Sequence, residues 1–152
     1  LQSFGEEYAL KISRSENEGE TFEPVFSENI TQPFLNKSIA ADGNEIVVCY
    51  QTRPSLLNIL YSENGGNSYQ TFQSDFSDYS ENLIARKMIL YNDNIYLFAH
   101  NENSDVIFAL DLDENFYQEI ASFDSEQHLS DFNISPSGTK FYTKAEGQTI
   151  RF

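Results

Sequence analysis

Six side chains of types that bind ligands or transfer protons fall in or beside the predicted loops of this 152-residue sequence. They are Arg53, Tyr79, His100, Glu102, Asp105 and His128. Other polar residues of the same segments accompany them, namely Ser55, Asp75, Asp78 and Glu81. A carboxylate-rich surface that contains tyrosine is suited to sugars, and two carboxylates at the right separation can hydrolyse a glycosidic bond. We predict a ligand-binding role for the six residues and assign none of them to catalysis.

Other kinds of catalytic or metal site are not indicated by the sequence. The two histidines lack the spacing of metal ligands, so surface positions are the simpler interpretation. Cys49 lies in the apolar run Ile46-Val47-Val48-Cys49-Tyr50, which favours a buried hydrophobic role over a nucleophilic one. The sequence has no phosphate-binding glycine loop, no nucleophile elbow and no cysteine cluster. We therefore predict no cofactor.

The negative net charge of the chain disfavours some classes of binding partner. The sequence holds 24 acidic and 9 basic residues, and its formal net charge is −15. Such a chain repels phosphate and its basic residues are scattered, so we predict no nucleic-acid partner. No segment approaches the roughly 18 consecutive apolar residues of a transmembrane helix, so we also predict no membrane span. Cationic partners and metal ions remain compatible with the composition.

Two octapeptides 47 positions apart are the clearest internal repeat. They are Ser15-Glu16-Asn17-Glu18-Gly19-Glu20-Thr21-Phe22 and Ser62-Glu63-Asn64-Gly65-Gly66-Asn67-Ser68-Tyr69. Each lies between two runs that alternate apolar and polar residues, a pattern typical of strand, tight loop and strand. Short hairpin turns fall between these copies, at Asp42-Gly43-Asn44, Asn92-Asp93-Asn94 and Pro136-Ser137-Gly138. The chain is therefore predicted to be all-β.

The order of these turns predicts repeats of four strands, A to D, with tight A-B and C-D turns. Four strands in a period of about 45 to 50 residues are typical of one blade of a β-propeller. Within a single propeller region, 1–152, we predict four parts: strands C and D of one blade in 1–26, complete blades in 38–72 and 87–123, and strands A, B and the start of C in 131–152. About three four-stranded antiparallel blades are then present.

Three blades do not close a ring, because each blade packs its two faces against neighbours. We expect either part of a larger propeller or half of a six-bladed ring made by a homodimer. In the dimer, the C-terminal A and B strands of one chain would complete the N-terminal C and D strands of the other.

The two octapeptides resemble the Asp-box, also called the bacterial neuraminidase repeat, whose consensus is Ser-x-Asp-x-Gly-x-Thr-Trp. The matching positions are Ser15, Asn17, Gly19, Thr21 and Phe22 in the first copy, and Ser62, Asn64, Gly66, Ser68 and Tyr69 in the second. The resemblance implies a sialidase-like β-propeller, a structural role for these ten residues, and a secreted or periplasmic location. A weakly bound cation at Glu16, Glu18 and Glu63 is the alternative for these loops.

In an antiparallel blade the A-B and C-D turns lie at one end and the B-C and D-A connections at the other. The octapeptides occupy C-D turns, so the resemblance implies that this end is structural. Function is then expected at the opposite end, where the connections 27–37, 73–86 and 124–130 are long and polar. We predict a non-catalytic binding or scaffold module that recognises a glycan or a protein there. As a scaffold, its acidic surface would hold a cationic partner.

The alternative is part of a glycoside hydrolase of the sialidase type. Sialidases use three arginines, a tyrosine with a glutamate, and an aspartic acid, and they carry an Arg-Ile-Pro type motif. This sequence has four arginines, and Thr52-Arg53-Pro54 does not match that motif. We therefore favour a protein that is not an enzyme, while further blades carrying catalytic residues keep the hydrolase open.

Overall fold

The chain folds entirely into β-strands and turns in the computed structural model, which describes residues 8–124, 129–135, 137–138, 140–144 and 149–151. All strand pairings are antiparallel and join strands that follow each other in the chain. The first sheet contains β1 (Tyr8–Arg14) and β2 (Glu23–Ile30). The second contains β3 (Asn36–Asp42), β4 (Glu45–Arg53), β5 (Leu56–Ser62) and β6 (Gln70–Asp75). The third contains β7 (Ile84–Tyr91), β8 (Asn94–His100), β9 (Ser104–Asp111) and β10 (Phe116–Asp124). The fourth contains β11 (Leu129–Ile134), β12 (Lys140–Lys144) and β13 (Thr149–Arg151).

The chain divides into two compact units, Leu1–Phe34 and Leu35–Phe152. The first unit contains the sheet of β1 and β2. The second contains both four-stranded sheets and the sheet of β11 to β13. Antiparallel four-stranded sheets whose strands are adjacent in sequence order are the blades of a β-propeller. The predicted fold class, an all-β propeller with about three blades present, is confirmed.

Alternate residues of the third sheet enter two different cores, which explains why its inner strands are almost continuously apolar. On β8, Leu97 packs into the core against the second sheet and Phe98 into the core against the fourth. On β9, Phe108 packs into the core against the second sheet and Ile107 into the core against the fourth. All four side chains are at most 1% exposed. Burial on both faces is therefore the physical reason for apolar runs that do not alternate.

The connections between sheets are shorter than the sequence predicts. Residues 76–83 join β6 to β7, whereas the sequence indicates a loop at 73–86. The difference arises because residues at both ends of the predicted loop continue the ladders, with Asp75 opposite Leu56 and Ile84 opposite His100. Polar side chains are tolerated there because their strand ends are partly or fully exposed to solvent.

The second and third sheets are joined by a buried glutamine. Gln51 is 1% exposed. Its Oε1 accepts a hydrogen bond from the Ala85 N–H at 2.6 Å, and its Nε2 donates to the Leu83 carbonyl at 3.2 Å. The side chain thus bonds to the backbone at the start of β7 much as a neighbouring strand would, and fixes one sheet against the next.

No helix in the described part of the chain is long and apolar enough to cross a membrane.

Candidate functional site

The first octapeptide loop, residues 15–22, is closed by hydrogen bonds among its own residues. Ser15 Oγ accepts from the Gly19 N–H at 2.8 Å, and Asn17 Oδ1 accepts from the Thr21 N–H at 2.9 Å. Asn17 Nδ2 donates to Thr21 Oγ1 at 2.9 Å. A short amide side chain that accepts a backbone N–H four residues on is a local clasp of the Asx type.

The second octapeptide loop, residues 62–69, repeats this pattern atom for atom. Ser62 Oγ accepts from the Gly66 N–H at 2.9 Å, and Asn64 Oδ1 accepts from the Ser68 N–H at 3.0 Å. Asn64 Nδ2 donates to Ser68 Oγ at 2.8 Å. The polar positions of both loops are therefore engaged within the loop, as a structural role requires.

The two loops differ where the backbone turns into the left-handed region. In the second loop Gly65 and Gly66 adopt this left-handed conformation, at φ values of 67° and 86°. In the first loop Glu18 stands in the position of Gly65, at a φ of 56°, where a side chain is disfavoured. Phe22 is 65% exposed, whereas the corresponding Tyr69 is half-buried.

Ser55 organises the connection between the second and third sheets. Its backbone lies in the left-handed region, at a φ of 61°. Its N–H donates to the Leu83 carbonyl at 2.8 Å, and its carbonyl accepts from the Phe76 N–H at 2.7 Å. Its hydroxyl accepts from the Leu83 N–H at 3.0 Å and donates to the Ser80 carbonyl. Phe76 is fully buried. Residues 76–83 are therefore tied to the fold at both ends.

Arg53 lies at the end of β4 and lines a concavity of about 260 Å³ together with Asp75, Ser77 and Glu81. Asp75 Oδ1 accepts from the Ser77 N–H at 2.9 Å. Hydrogen bonds from the backbone and side chain of Ser77, with a smaller contribution from the charge of Arg53, lower the pKa of Asp75. The concavity therefore brings the Arg53 side chain close enough to Asp75 for their charges to interact.

Tyr79 belongs to the 76–83 connection and contacts the third sheet. Its hydroxyl donates to Glu119 Oε2 at 2.6 Å, and its ring lies edge-on to Phe108 at 4.9 Å between centroids. Burial, the hydrogen bond to Glu119 and the charge of Glu119 together raise the pKa of Tyr79. The hydroxyl that was predicted to meet a ligand is engaged within the chain.

His100 and Asp105 are brought together as opposite residues at the ends of β8 and β9. Asp105 contacts the start of the fourth sheet directly, and His100 is bonded to Arg86, which also reaches it. Arg86 Nε donates to His100 Nδ1 at 2.9 Å and Arg86 also reaches the Leu129 carbonyl at 3.5 Å. Asp105 is 1% exposed, and its Oδ2 accepts from the Leu129 N–H at 2.7 Å. Asp105 thus serves the joint between sheets, where a soluble ligand does not reach it.

Glu102 is exposed in the short connection from β8 to β9, and its Oε1 accepts from Asn82 Nδ2 at 3.2 Å. His128 lies outside the described residues. Among the residues that the structure describes, no group of three or more His, Cys, Asp and Glu side chains is placed to hold a metal ion. A ligand-binding role for the exposed candidates remains a prediction.

A larger concavity, of about 610 Å³, lies at the opposite end, between the second and third sheets. We call it the inter-blade groove. Its apolar lining consists of Tyr61, Phe72, Ile95, Ala109, Leu110, Leu112 and Phe116. Its polar lining consists of Glu63, Gln70, Asp93, Asn94, Asp111, Asp113, Glu114 and Gln118. Several apolar members also pack on the core between the two sheets. The groove therefore lies at the solvent-exposed edge of the core between the two sheets.

One wall of the inter-blade groove is a turn held by hydrogen bonds. Asp111 Oδ1 accepts from the N–H groups of Asp113 and Glu114, each at 3.1 Å. Asn115, with a φ of 48°, accepts from Ser74 Oγ at 3.2 Å, which ties this turn of the third sheet to β6 of the second. The groove is thus preformed by contacts of the chain itself.

The groove carries a negative field that reaches its floor. Tyr61 is half-buried and its hydroxyl donates to Glu45. Burial, the hydrogen bond to Glu45, and the charges of Glu45, Glu63 and Asp93 all raise the pKa of Tyr61. The carboxylates at the rim therefore act on a side chain inside the groove.

The sequence carries one signal of this groove. Where a third octapeptide would stand, the turn between β9 and β10 reads Asp111-Leu112-Asp113-Glu114-Asn115, followed by Phe116. This turn has lost the motif and interleaves carboxylates with a leucine and an aromatic residue. Because the resemblance of the octapeptides to the Asp-box implies that this end is structural, the sequence predicts no site at this groove.

No protein-family model and no curated protein matches the chain. Among solved structures, YCF48 bound to D1 peptide is similar over 89% of this chain and 41% of that chain, with 18% sequence identity and a TM-score of 0.62. The K499G mutant of NanB sialidase from Streptococcus pneumoniae is matched over 90% of this chain and 24% of that chain, with 10% identity and a TM-score of 0.49. This chain spans less than half of either protein. The likeness to YCF48 supports the β-propeller fold, while the resemblance of the octapeptides to the neuraminidase repeat stays a prediction.

Proposed function

We propose that this chain is a non-catalytic binding module of a β-propeller that holds an extended segment of a partner protein in the inter-blade groove. The observation that carries the proposal is the groove itself, a concavity of about 610 Å³ lined by both complete blades. Binding sites are concave and partly apolar, with a few polar groups that fix the orientation of the ligand. The inter-blade groove has these properties.

The walls support this function because they are already in place. Hydrogen bonds within the turn at 111–115, and from that turn to β6, leave little to order when a segment binds. A preformed site loses less conformational entropy on binding than a mobile one. The name of the similar structure, YCF48 bound to D1 peptide, also supports a propeller of this fold as a carrier of a peptide.

The end that carries the B-C and D-A connections is a weaker candidate. There the hydroxyl of Tyr79 and the carboxylate of Asp105 are engaged by Glu119 and Leu129. Recognition of a glycan or protein at that end, and a sialidase of which this chain is a part, remain predictions of the sequence. The same holds for the homodimeric ring and for a secreted or periplasmic location.

The experiment uses two glutamines on equivalent outer strands. Gln118 of β10 lines the groove, whereas Gln73 of β6 is exposed, does not line it and bonds to Asn58. Peptides are selected from a random phage-displayed library on the wild-type chain, and a glycan array is probed in parallel. Selected peptides are then titrated against Q118W, which fills the groove, and Q73W, the matched control.

We expect peptides to be selected, to bind Q73W like the wild type, and to lose most of their affinity for Q118W. Peptides that bind Q118W as well as the wild type would place the site elsewhere and refute the proposal. Selection of no peptide, or glycan capture that Q118W abolishes, would refute a protein partner for this groove.

A further inference from the structure

The inter-blade groove is lined by acidic side chains and by no basic ones. Five of its fifteen lining residues are carboxylates, and none is Lys, Arg or His. They are Glu63, Asp93, Asp111, Asp113 and Glu114. None of these five forms an ion pair with any residue that the structure describes. Like charges held together raise the energy of the empty groove, and a ligand of opposite charge relieves it.

These carboxylates do not form a ready-made metal site within the described chain. No group of three or more His, Cys, Asp and Glu side chains there converges on one point. The negative charges are instead distributed along the groove, from Asp93 before β8 to Glu114 before β10. Several cationic groups spaced along one chain match this distribution better than one ion.

The apolar lining of the groove adds a second requirement. Phe116 is 57% exposed, and Phe72 and Leu112 are half-buried. Arginine and lysine side chains lay their methylene stems on apolar surface while their charged ends reach carboxylates, and the arginine guanidinium also stacks on aromatic faces. A lining that combines apolar side chains with carboxylates therefore fits side chains that are apolar along their length and cationic at their tips.

We infer that the segment bound in the inter-blade groove is a basic peptide, rich in arginine or lysine with apolar residues between them. This inference rests on the proposed function and names the class of its ligand. The same groove repels acidic and phosphorylated segments, so it selects among partners by charge as well as by shape.

The test uses three fluorescein-labelled peptides of equal length in which leucine alternates with arginine, glutamine or glutamate. Anisotropy titrations are run at low and at high salt. The variant D93N/D113N/E114Q removes three exposed rim charges and keeps Asp111, which holds the turn. The control D78N/E81Q/D124N removes three exposed carboxylates from the opposite end, so both variants change the net charge of the chain equally.

We expect the arginine peptide to bind at least about tenfold more tightly than the glutamine peptide, and to weaken as salt rises. The rim variant is expected to lose about tenfold in affinity for the arginine peptide, and the control less than about threefold. Equal affinities for the arginine and glutamine peptides, or equal losses in both variants, would overturn the inference.

Q118W separates this inference from the proposed function. If Q118W blocks every peptide that binds, but charge and salt have no effect, the groove binds protein segments and only the basic class is wrong. If the arginine peptide still binds Q118W, the groove is not its site and both statements fail. Circular dichroism of each variant confirms that a loss of binding does not reflect a loss of fold.

Discussion

Replacing Gln51 with methionine is expected to destabilise the joint between the second and third sheets. Methionine has a similar length and flexibility, so the substitution removes two hydrogen bonds while it keeps most of the packing. The side chain is 1% exposed. Water therefore cannot replace the partners that Gln51 provides to the backbone of Leu83 and Ala85.

The two lost hydrogen bonds differ in cost. The Ala85 N–H becomes a buried donor without its acceptor, which costs about 1 to 3 kcal/mol. The Leu83 carbonyl still accepts from the Ser55 N–H at 2.8 Å, so losing its second donor costs about 1 kcal/mol. The free energy of unfolding should fall by about 2 to 4 kcal/mol in total, a large share of the roughly 5 to 15 kcal/mol of a typical domain.

The assay follows unfolding in urea by labelling the single cysteine, Cys49, which is buried on the same strand as Gln51. The labelling reports on the unit that contains the joint. Q73M is the control, because Gln73 is exposed and its bond to Asn58 can be replaced by water; it should cost less than about 0.5 kcal/mol. A Q51M midpoint within error of the wild type, or one matched by Q73M, would refute the idea that Gln51 joins the sheets.

Three further predictions follow from local geometry. Burial raises the pKa of the Cys49 thiol to about 12, so the thiol should stay neutral and unreactive toward thiol reagents at pH 8 in the folded protein. Because the thiol of the unfolded chain ionises at lower pH, the folded state should lose stability between about pH 9 and pH 12. Rapid labelling of the native protein would contradict this. G66A should lower the free energy of unfolding by about 2 to 4 kcal/mol and G43A by about 1 kcal/mol, measured by thermal denaturation. The reason is that a Cβ on Gly66 would lie 2.9 Å from Tyr69 Oη, whereas one on Gly43 meets no atom within 4 Å. Equal losses in the two variants would disprove the steric reasoning. N64A should cost about 1 to 2 kcal/mol and N64D less than about 0.5 kcal/mol, since only the carboxylate keeps the acceptor for the Ser68 N–H; equal melting temperatures of the two variants would contradict the clasp.

The blades could be predicted because their signals are local. Paired loops such as 62–69, and turns such as Asp42-Gly43-Asn44, mark the positions where the chain reverses, and these positions depend on a few residues close in sequence. The ends of the connections could not be predicted in this way. Asp75 and Ile84 continue their strands because of partners 16 to 19 positions away, Leu56 and His100. Such pairing overrides the polar composition that suggested a loop.

The candidate residues illustrate a different difficulty, since the same residue types can bond one sheet to the next or bind a ligand. Gln51 and His100 lie at the same distance from the A-B turns of their blades. Gln51 bonds directly to the backbone of the following sheet, whereas His100 accepts from Arg86 of its own sheet, and Arg86 reaches the Leu129 carbonyl of the next one. Composition marks His100 as a candidate ligand residue and passes over Gln51, although their places in the blade correspond. Only the position within the repeat reveals that Arg86 and His100 belong to a joint.

The sequence does not predict the inter-blade groove, for the complementary reason. A motif that is structural at one turn says nothing about the neighbouring turn that has lost it. The side chains of Ser62 and Asn64 close the octapeptide loop at 62–69. In the turn at 111–115 the side chain of Asp111 has this role, and the carboxylates of Asp113 and Glu114 form no hydrogen bond or ion pair with the described chain. The turn without the motif therefore adds unpaired carboxylates to the end of the blade that the resemblance to the Asp-box predicts to be structural. We therefore expect the binding surface of this chain to include the turn that departs from the repeat.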